Sequence, residues 1–432
     1  MIAAMVGVVG YQIVRYSSGA SQKDADGCIQ NSDADLRIAC CAHGLAGSIA
    51  AAMLGRAGID AMLIDPHPVY PVDFRCEKLD GPQMRTLALT GLADAVLRAS
   101  TFDRESWVAR FGRIVEKRPG DQQGILYDTL VNTVRSQIPN RTEFIHAKVT
   151  DISSSPERQT VKLSKGDEIS ARLVILANGL NIGMRQKLGM DREVISPGHS
   201  ISIGFDAKPA DGRGFQFPAL TYYAENPSDR MAYITLFPIG AAMRANLFGY
   251  RDLHDPWLKQ LREAPRETLY AMWPGLRKLM GHFTVPDFIK IRPVDLNVTK
   301  TYQRDGIVLV GDAFSTSCPA AGTGARKLLV DVERLCNMHI PRWLATPGMD
   351  EAKIASFYDD PVKRACDAYS LSKAYDLRSF SINQTLPWVA RRWVKFFLHW
   401  GKGTLRRVAA TRTLGESARN FDPGVRQNPY PH

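Results

Sequence analysis

The sequence has few cysteines, and their spacing excludes two classes of protein. The seven lie at positions 28, 40, 41, 76, 318, 336 and 366, with no C-x-x-C pair among them. An odd, scattered set argues against a disulfide scaffold and against a zinc site, and favours a reducing compartment. Internal repeats and low-complexity tracts are also missing, so a repeat architecture is not expected.

No apolar run is long enough to cross a membrane. Residues 1–14 are apolar, but fourteen residues are too few to span a bilayer. No basic residue precedes them, as one would in a signal peptide, and there is no twin-arginine signal. We interpret residues 1–35 as a disordered extension or an early start codon, in preference to an anchor or a signal peptide. We expect a cytoplasmic protein.

The positive charge is unevenly distributed. The chain carries a net charge of +11. Residues 388–432 hold nine basic residues against Glu416 and Asp422, which is +7 in 45 residues; the nine are Arg391, Arg392, Lys395, Lys402, Arg406, Arg407, Arg412, Arg419 and Arg426. Because the rest of the chain is close to neutral, we expect no nucleic-acid binding.

The apolar pattern predicts an α/β fold. A strand at 36–41, a helix at 47–57 and a strand at 61–65 form a βαβ unit, and residues 173–176 and 307–310 read as further buried strands. Between them, alternating runs in 200–250 predict an antiparallel sheet. We therefore expect a Rossmann-type domain from 36–186 and 300–345, a β-rich substrate domain at 187–299, and a helical region at 346–432.

The first candidate site follows strand 36–41, in the run Ala42-His43-Gly44-Leu45-Ala46-Gly47. In a dinucleotide fingerprint, Gly44 lets the backbone approach a pyrophosphate, and Gly47 lets the helix pack closely on the strand. Asp65, 21 residues after Gly44, suits a ribose hydroxyl. Ala42 replaces the first glycine, and we expect its Cβ to carry a cost in a tight turn. His43 is interpreted as a turn residue that could face phosphate.

The second candidate site follows strand 307–310. Asp312 stands at the end of this strand, where its carboxylate could accept hydrogen bonds from sugar-type hydroxyls. Gly322 and Gly324 would allow close approach to a flat ring, and the start of the next helix could face that ring's polar edge. Together the two sites predict the two halves of an FAD site. Ordinary βαβ and strand-end turns without a nucleotide remain the alternative.

At this point a family resemblance is visible. Four stretches of the chain resemble the flavoprotein monooxygenases of the aromatic hydroxylase type, which include 4-hydroxybenzoate hydroxylase: 38–65, 74–79, the segment around Gln123, and 306–324. The resemblance implies that Arg75 and Gln123 contact FAD, with Gln123 near a helix start, and that Pro319 lies beside the substrate. Asn178 and Ile182 depart from the family's D-G-x-x-S-x-x-R motif, and Ser315 replaces a common histidine.

The resemblance also implies an activity. NAD(P)H would reduce FAD, O2 would give a C4a-hydroperoxyflavin, and one oxygen atom would pass to an aromatic or other hydrophobic small molecule. His199, Tyr222 and Tyr223 are candidate bases, but we interpret them as structural. Two alternatives remain: a flavoprotein reductase similar to the geranylgeranyl reductases, and a degenerate flavin- or lipid-binding member. No W-x-W-x-I-P run supports a halogenase.

The C-terminal region predicts one amphipathic helix, within 386–407. Six apolar residues share one face: Leu386, Val389, Trp393, Phe396, Phe397 and Trp400. Basic residues and His399 share the other face. This pattern is typical of an interfacial helix, so peripheral membrane contact is one interpretation. The alternative is that the aromatic face packs on the protein's own core or on a second subunit in a homodimer.

Overall fold

The computed structural model describes residues 37–75, 77–398 and 401, so the prediction for residues 1–35 lies outside it. Twelve helices are named within this part: α1 Leu45–Arg56, α2 Gly81–Ala88, α3 Ala93–Ala99, α4 Tyr127–Arg135, α5 Gly183–Lys187, α6 Pro256–Glu263, α7 Pro265–Met272, α8 Arg277–Met280, α9 Gly324–Arg334, α10 Ile340–Leu344, α11 Glu351–Tyr358 and α12 Pro361–Ile382. A further stretch, residues 386–398, is helical and is called here the C-terminal helix.

Eighteen strands are named in the same part of the chain. They are β1 Arg37–Ala42, β2 Ala61–Ile64, β3 Lys78–Leu79, β4 Thr101–Phe102, β5 Glu105–Arg110, β6 Arg113–Pro119, β7 Gln123–Gly124, β8 Glu143–Ile145, β9 Val149–Ser154, β10 Gln159–Leu163, β11 Glu168–Ala177, β12 Arg192–Pro209, β13 Ala219–Tyr223, β14 Met231–Ile239, β15 Ala242–Gly249, β16 Phe283–Thr284, β17 Lys290–Thr299 and β18 Ile307–Leu309. The predicted mixed α/β class is confirmed.

The first sheet is the expected Rossmann-type layer. Strands β8, β2, β1, β11 and β18 pair in parallel, and β9 and β10 add an antiparallel extension to β11. β1 and β2 are buried almost throughout, because one face of the sheet packs on α1 and α9 and the other packs on residues such as Ile152, Val161 and Leu188. Because parallel strands end at one edge, the residues after β1, β2, β11 and β18 lie at the same edge of the sheet.

The second sheet contains the predicted antiparallel insert. Strands β12 to β15 and β17 form it, and one face packs on α6–α8 through residues such as Ile203, Leu247 and Trp273. The structure differs from the expected grouping in one respect: β5 and β6, from within 36–186, extend this sheet through parallel pairing of β5 with β13. The opposite face carries polar residues, as the two-residue alternation predicted.

The region after β18 is helical, as predicted, through α9 to α12. Among the described helices, none is both long and apolar enough to cross a membrane. α12 packs on α9 and on β14, and so bridges the two sheets. It therefore forms one wall behind the loop that follows β18.

Candidate FAD site

The turn after β1 brings a strand and a helix into close contact. Gly47 lies in the first turn of α1, where any Cβ would overlap the Cβ of Ala42. Ala42 itself is the last residue of β1, paired with Ala177, and it is not among the described residues with positive φ. The expected tight turn at Ala42 was therefore wrong, because the strand continues through this position. Its methyl group fills the space that Gly47 leaves.

Gly44 is the residue that needs unusual backbone freedom. It caps α1 with φ of 145°, and a Cβ there would lie 2.9 Å from the Tyr127 hydroxyl oxygen. That hydroxyl accepts a hydrogen bond from the Leu45 amide at 3.3 Å. The first turn of α1 thus presents an N–H group to a polar oxygen, which is the interaction a phosphate would make.

Replacing Gly44 with alanine should weaken FAD binding about tenfold or more. The methyl group would strain the backbone and crowd the space at the α1 N-terminus. The measurement is the FAD dissociation constant of the apoprotein, from quenching of flavin fluorescence. Gly212→Ala is the matched control, since Gly212 also has positive φ (71°) but open space around it. Equal affinities in the two variants would contradict this role.

Asp65 and His43 lie beside this turn. Asp65 is fully buried after β2, and its carboxylate accepts hydrogen bonds from Arg135 and from the His67 amide (2.9 Å). Arg135 therefore already occupies one oxygen of the carboxylate that was predicted to bind a ribose hydroxyl. The His43 Nδ1 is buried without a hydrogen-bond partner, and burial lowers the pKa of this histidine, opposed by Asp65. A neutral imidazole with a free ring nitrogen suits a ligand hydroxyl or phosphate.

Arg75 and Asp312 are brought together across 237 positions of sequence. The Arg75 Nη1 lies 3.7 Å from an Asp312 carboxylate oxygen, and the Arg75 Nε donates to Asp73 at 2.6 Å. The Asp312 side chain is 39% exposed. Burial raises the pKa of the Asp312 carboxyl, and the positive charges of Arg75 and then Lys327 oppose this rise. Two residues singled out separately in the sequence therefore form one charged pair at the end of β18.

The Gly311–Asp312 turn is anchored from behind by a buried ionic network. The Gly311 amide donates to Asp331 on α9 at 2.9 Å, and the other oxygen of Asp331 contacts the Lys363 ammonium at 2.8 Å. Lys363 also contacts Asp367 at 3.1 Å, and Asp367 lies 3.3 Å from Lys327. Two lysines and two aspartates thus neutralise one another, which is the condition for keeping charge in a protein interior.

Asn178 and Arg185 hold the neighbouring loop after β11. Arg185 is buried and donates to the carbonyls of Ala313 (2.6 Å) and Gly179 (3.2 Å). Burial lowers the pKa of Arg185 to about 10. The Asn178 side-chain amide donates to the Asn181 carbonyl at 2.9 Å, while the side-chain oxygen Oδ1 of Asn178 is buried without a partner. This arginine joins two loops of the site.

The loop from Pro319 to Gly324 lies between the two sheets. Residues Pro319–Ala321 form a single 3₁₀ turn, and Gly322 follows with φ of 68° and open space where a Cβ would stand. The Gly322 carbonyl accepts from Gln83 at 2.8 Å, and Gly324 begins α9. The Tyr233 hydroxyl, from β14, donates to the Ala320 carbonyl at 2.5 Å. The loop therefore faces the polar side of the antiparallel sheet.

Gln123 lies on β7, close to the start of a helix, as the resemblance implied. Its side-chain oxygen accepts from Ser100 at 2.9 Å, and α4 begins four residues later, at Tyr127. Between them, Gly124 packs against the Pro238 backbone, where no side chain would fit. The FAD contact of Gln123 stays a prediction.

Sequence reasoning missed a polar group on the antiparallel sheet. Ser202 and Asn246 lie on its polar face, and each has a buried oxygen without a partner. Glu77, also buried, pairs with Arg244 through one carboxylate oxygen and leaves the other without a partner. Burial raises the pKa of Glu77, opposed by Arg244. The alternation of β12 and β15 already places Ser202 and Asn246 on this face, and that signal could have identified them.

The three candidate bases have other partners. The Tyr222 hydroxyl binds the Glu225 carboxylate and the Gly112 amide. His199 is fully buried beside Ser196, and burial together with Arg378 lowers its pKa to about 4. Tyr223 stacks edge-on with Tyr233. These contacts are compatible with the structural interpretation.

The residues at this edge fit an FAD molecule. The helix start at Gly44, the His43 side chain and the Arg75–Asp312 pair would serve its nucleotide and ribityl parts. The open backbone at Gly322 leaves room for a flat ring.

Comparison with known proteins agrees with this geometry. The sequence profile of the family described as FAD binding domain matches residues 121–337. The 3-demethoxyubiquinol 3-hydroxylase of Escherichia coli (strain K12) is 24% identical over 81% of this chain and 90% of its own length. The p-nitrophenol 4-monooxygenase PnpA of Pseudomonas putida DLL-E4 superposes with a TM-score of 0.66, at 13% identity, over 88% of this chain and 97% of its own.

Aklavinone-11 hydroxylase, solved with FAD and aklavinone, has the same fold. Its TM-score is 0.56, at 17% identity, over 70% of this chain and 61% of its own. The family profile covers half of the chain and includes the Gly311–Asp312 turn and the Pro319–Gly324 loop. The chain therefore belongs to the FAD binding domain family, among the FAD-dependent monooxygenases of the aromatic hydroxylase type.

Proposed function

We propose that this monooxygenase hydroxylates a phenol or quinol that carries a hydrophobic tail, with NAD(P)H and O2 as co-substrates. The observation that carries the proposal is the Pro319–Gly324 loop, which follows the Gly311–Asp312 turn along the chain and faces the polar side of the antiparallel sheet. A demethoxyubiquinol appears in the name of the E. coli relative, and such a substrate has both a quinol ring and an apolar tail.

The chain's own residues would bind FAD, orient the substrate and shield both from solvent. Gly44 and the α1 N-terminus would hold the pyrophosphate of FAD, and Asp312 would accept from the ribityl hydroxyls. FAD, when bound, supplies the redox and oxygen chemistry. Ser202 and Asn246 would orient the ring hydroxyls of the substrate, since each offers an unpaired oxygen in a dry setting.

The first test is the visible spectrum of the purified protein, followed by identification of the released flavin. Quinols and phenols with short and long tails are then screened for substrate-dependent oxidation of NAD(P)H and for O2 uptake. Product mass after reaction under ¹⁸O2 should rise by one ¹⁸O atom. NAD(P)H oxidation without substrate-dependent O2 uptake would instead support the reductase alternative.

We also propose that the C-terminal helix makes peripheral contact with a membrane. Five of its apolar side chains are strongly exposed: Leu386 at 83%, Trp393 at 48%, Val394 at 58%, Phe397 at 56% and Leu398 at 59%. Within the described part of the aromatic face, Trp393 and Phe396 pack against Phe111. Exposed apolar groups beside Arg391 and Lys395 fit an anionic bilayer surface.

The double substitution of Trp393 and Phe397 by serine should reduce binding to anionic liposomes about tenfold or more, because both side chains would lose burial in the bilayer. Co-sedimentation at low salt measures this. Phe288→Ser is the matched control, since Phe288 is 84% exposed elsewhere on the surface. No co-sedimentation of the unaltered protein would overturn the proposal.

A homodimer stays a prediction, because the aromatic face could also be covered by a second copy. Light scattering on a sizing column distinguishes a monomer from a dimer. A dimer that dissociates in the Trp393 and Phe397 double variant would assign this face to self-association.

A further inference from the structure

A cavity lies beneath the C-terminal helix. It has a volume of about 60 Å³ and is bounded by β5, β6, β13 and β14 on one side and by the end of α12 and the C-terminal helix on the other. Its wall is largely apolar and includes Val108, Val115, Met231, Leu377 and Phe396. A volume of this size exceeds that of one water molecule several-fold. The shape and lining suit part of an alkyl chain.

Three cations share this apolar wall, and among the described residues no acidic one lines it. They are Arg110, Arg392 and Lys395. Arg392 is 6% exposed and donates to the carbonyls of Phe380 (3.0 Å) and Asn383 (2.7 Å). Arg110 donates to the Ala224 carbonyl at 3.1 Å. These carbonyl groups accept hydrogen bonds from the two arginines but do not neutralise their charge.

The charge at this cavity is therefore poorly compensated. Burial, and then the proximity of Arg392, lower the pKa of Arg110; Glu225 opposes them. The Glu225 carboxylate is held elsewhere, because one oxygen binds both the Tyr222 hydroxyl and the Gly275 amide. Burying cations without an anionic partner is costly. An anion at the cavity mouth would remove that cost.

We propose that this cavity binds an anionic amphiphile, with its carboxylate or phosphate against Arg110, Arg392 and Lys395 and its alkyl chain against the apolar wall. The chain's own C-terminal segment is a poor occupant, since residues 402–426 carry six basic residues against two acidic ones. The site opens beside the exposed apolar side chains of the C-terminal helix, where a lipid leaflet would supply such a ligand. Binding here needs neither flavin nor NAD(P)H, so it stands apart from the proposed reaction.

The test uses the full-length protein and monomeric ligands in isothermal titration. Decanoate should bind at least tenfold more tightly than 1-decanol, which lacks the charge, and than inorganic phosphate, which lacks the chain. Dioctanoyl phosphatidylglycerol should behave like decanoate, and dioctanoyl phosphatidylcholine should bind at least tenfold more weakly. Equal binding of 1-decanol, or of phosphate alone, would overturn the proposal.

Two substitutions locate the site. Lys395→Gln removes one exposed cation, and Ala224→Leu fills the apolar end; each should weaken decanoate binding at least fivefold. Lys259→Gln, at a lysine side chain that is 80% exposed on α6, is the control and should leave binding unchanged. Because Ala224 is buried, the melting temperature of that variant is measured in parallel. Unchanged affinity in Lys395→Gln would refute the site even if Ala224→Leu fails to fold.

Discussion

Replacing Asp312 with alanine is expected to abolish retention of FAD during purification. The substitution removes the carboxylate that pairs with Arg75 at 3.7 Å and that would accept hydrogen bonds from the ribityl chain. Hydrogen bonds to a charged group contribute about 1.5–3 kcal/mol, so FAD affinity should fall by about 10- to 150-fold. The dissociation constant from flavin fluorescence measures the effect.

Two further variants test whether the charge of the Asp312 side chain, and not its shape, causes the loss of FAD affinity. Asp312→Asn keeps the size of the side chain but loses its charge, and should fall between the unaltered protein and alanine. Asp211→Asn, at an exposed loop aspartate that contacts only Arg213, controls for a general change in charge. Tight FAD binding by Asp312→Ala would show that the carboxylate does not contact the cofactor.

Replacing Lys363 with methionine is expected to destabilise the fold by about 3–5 kcal/mol. The change leaves the buried Asp331 carboxylate, behind the Gly311 amide, without its cation, while the partly exposed Asp367 keeps Lys327 at 3.3 Å. Burial alone would lower the pKa of Lys363, but the two carboxylates outweigh it and raise the pKa. The stabilisation is therefore fully present at neutral pH and is lost only above about pH 10. Urea unfolding followed by circular dichroism measures the loss.

A compensating variant tests whether charge is the cause. Lys363→Met combined with Asp331→Asn removes one buried negative charge, and the new amide oxygen can still accept from the Gly311 amide. This double variant should recover part of the lost stability. Lys373→Met, at an exposed position of the same helix, should change stability by less than about 0.5 kcal/mol. Equal loss in the single and double variants would argue against an ionic origin.

Local sequence patterns were enough to predict the parallel strands. The apolar runs 38–42, 61–64, 173–177 and 307–309 lie in these strands, and each is followed within two residues by Gly, Asp or Asn; continuous apolar runs are typical of a sheet covered on both faces. Because all four end at one edge, Arg75 and Asp312 could be assigned to one site through the family resemblance. The ion pair itself was not foreseen, since it depends on the path of the loop after β2.

Contacts between distant segments could not be predicted. β5 and β6 alternate like many surface hairpins, and nothing local indicates that β5 pairs in parallel with β13, more than 100 residues later. The network around Lys363 is similar: a lysine at the start of a helix usually faces water, and here α12 lies against α9 and buries it. Tertiary packing determines both the β5–β13 pairing and the burial of Lys363, and the periodicity of a single sequence does not indicate such packing.

The contact between Ala42 and Gly47 has a consequence for recognising related chains. Only one of the two positions can carry a methyl group, because a second Cβ would overlap the first. Position 47, on the helix, therefore requires glycine, whereas position 42, at the end of the strand, tolerates alanine with an extended backbone. A search pattern that insists on glycine at the first place would discard this chain. One that weighs both places together would keep it.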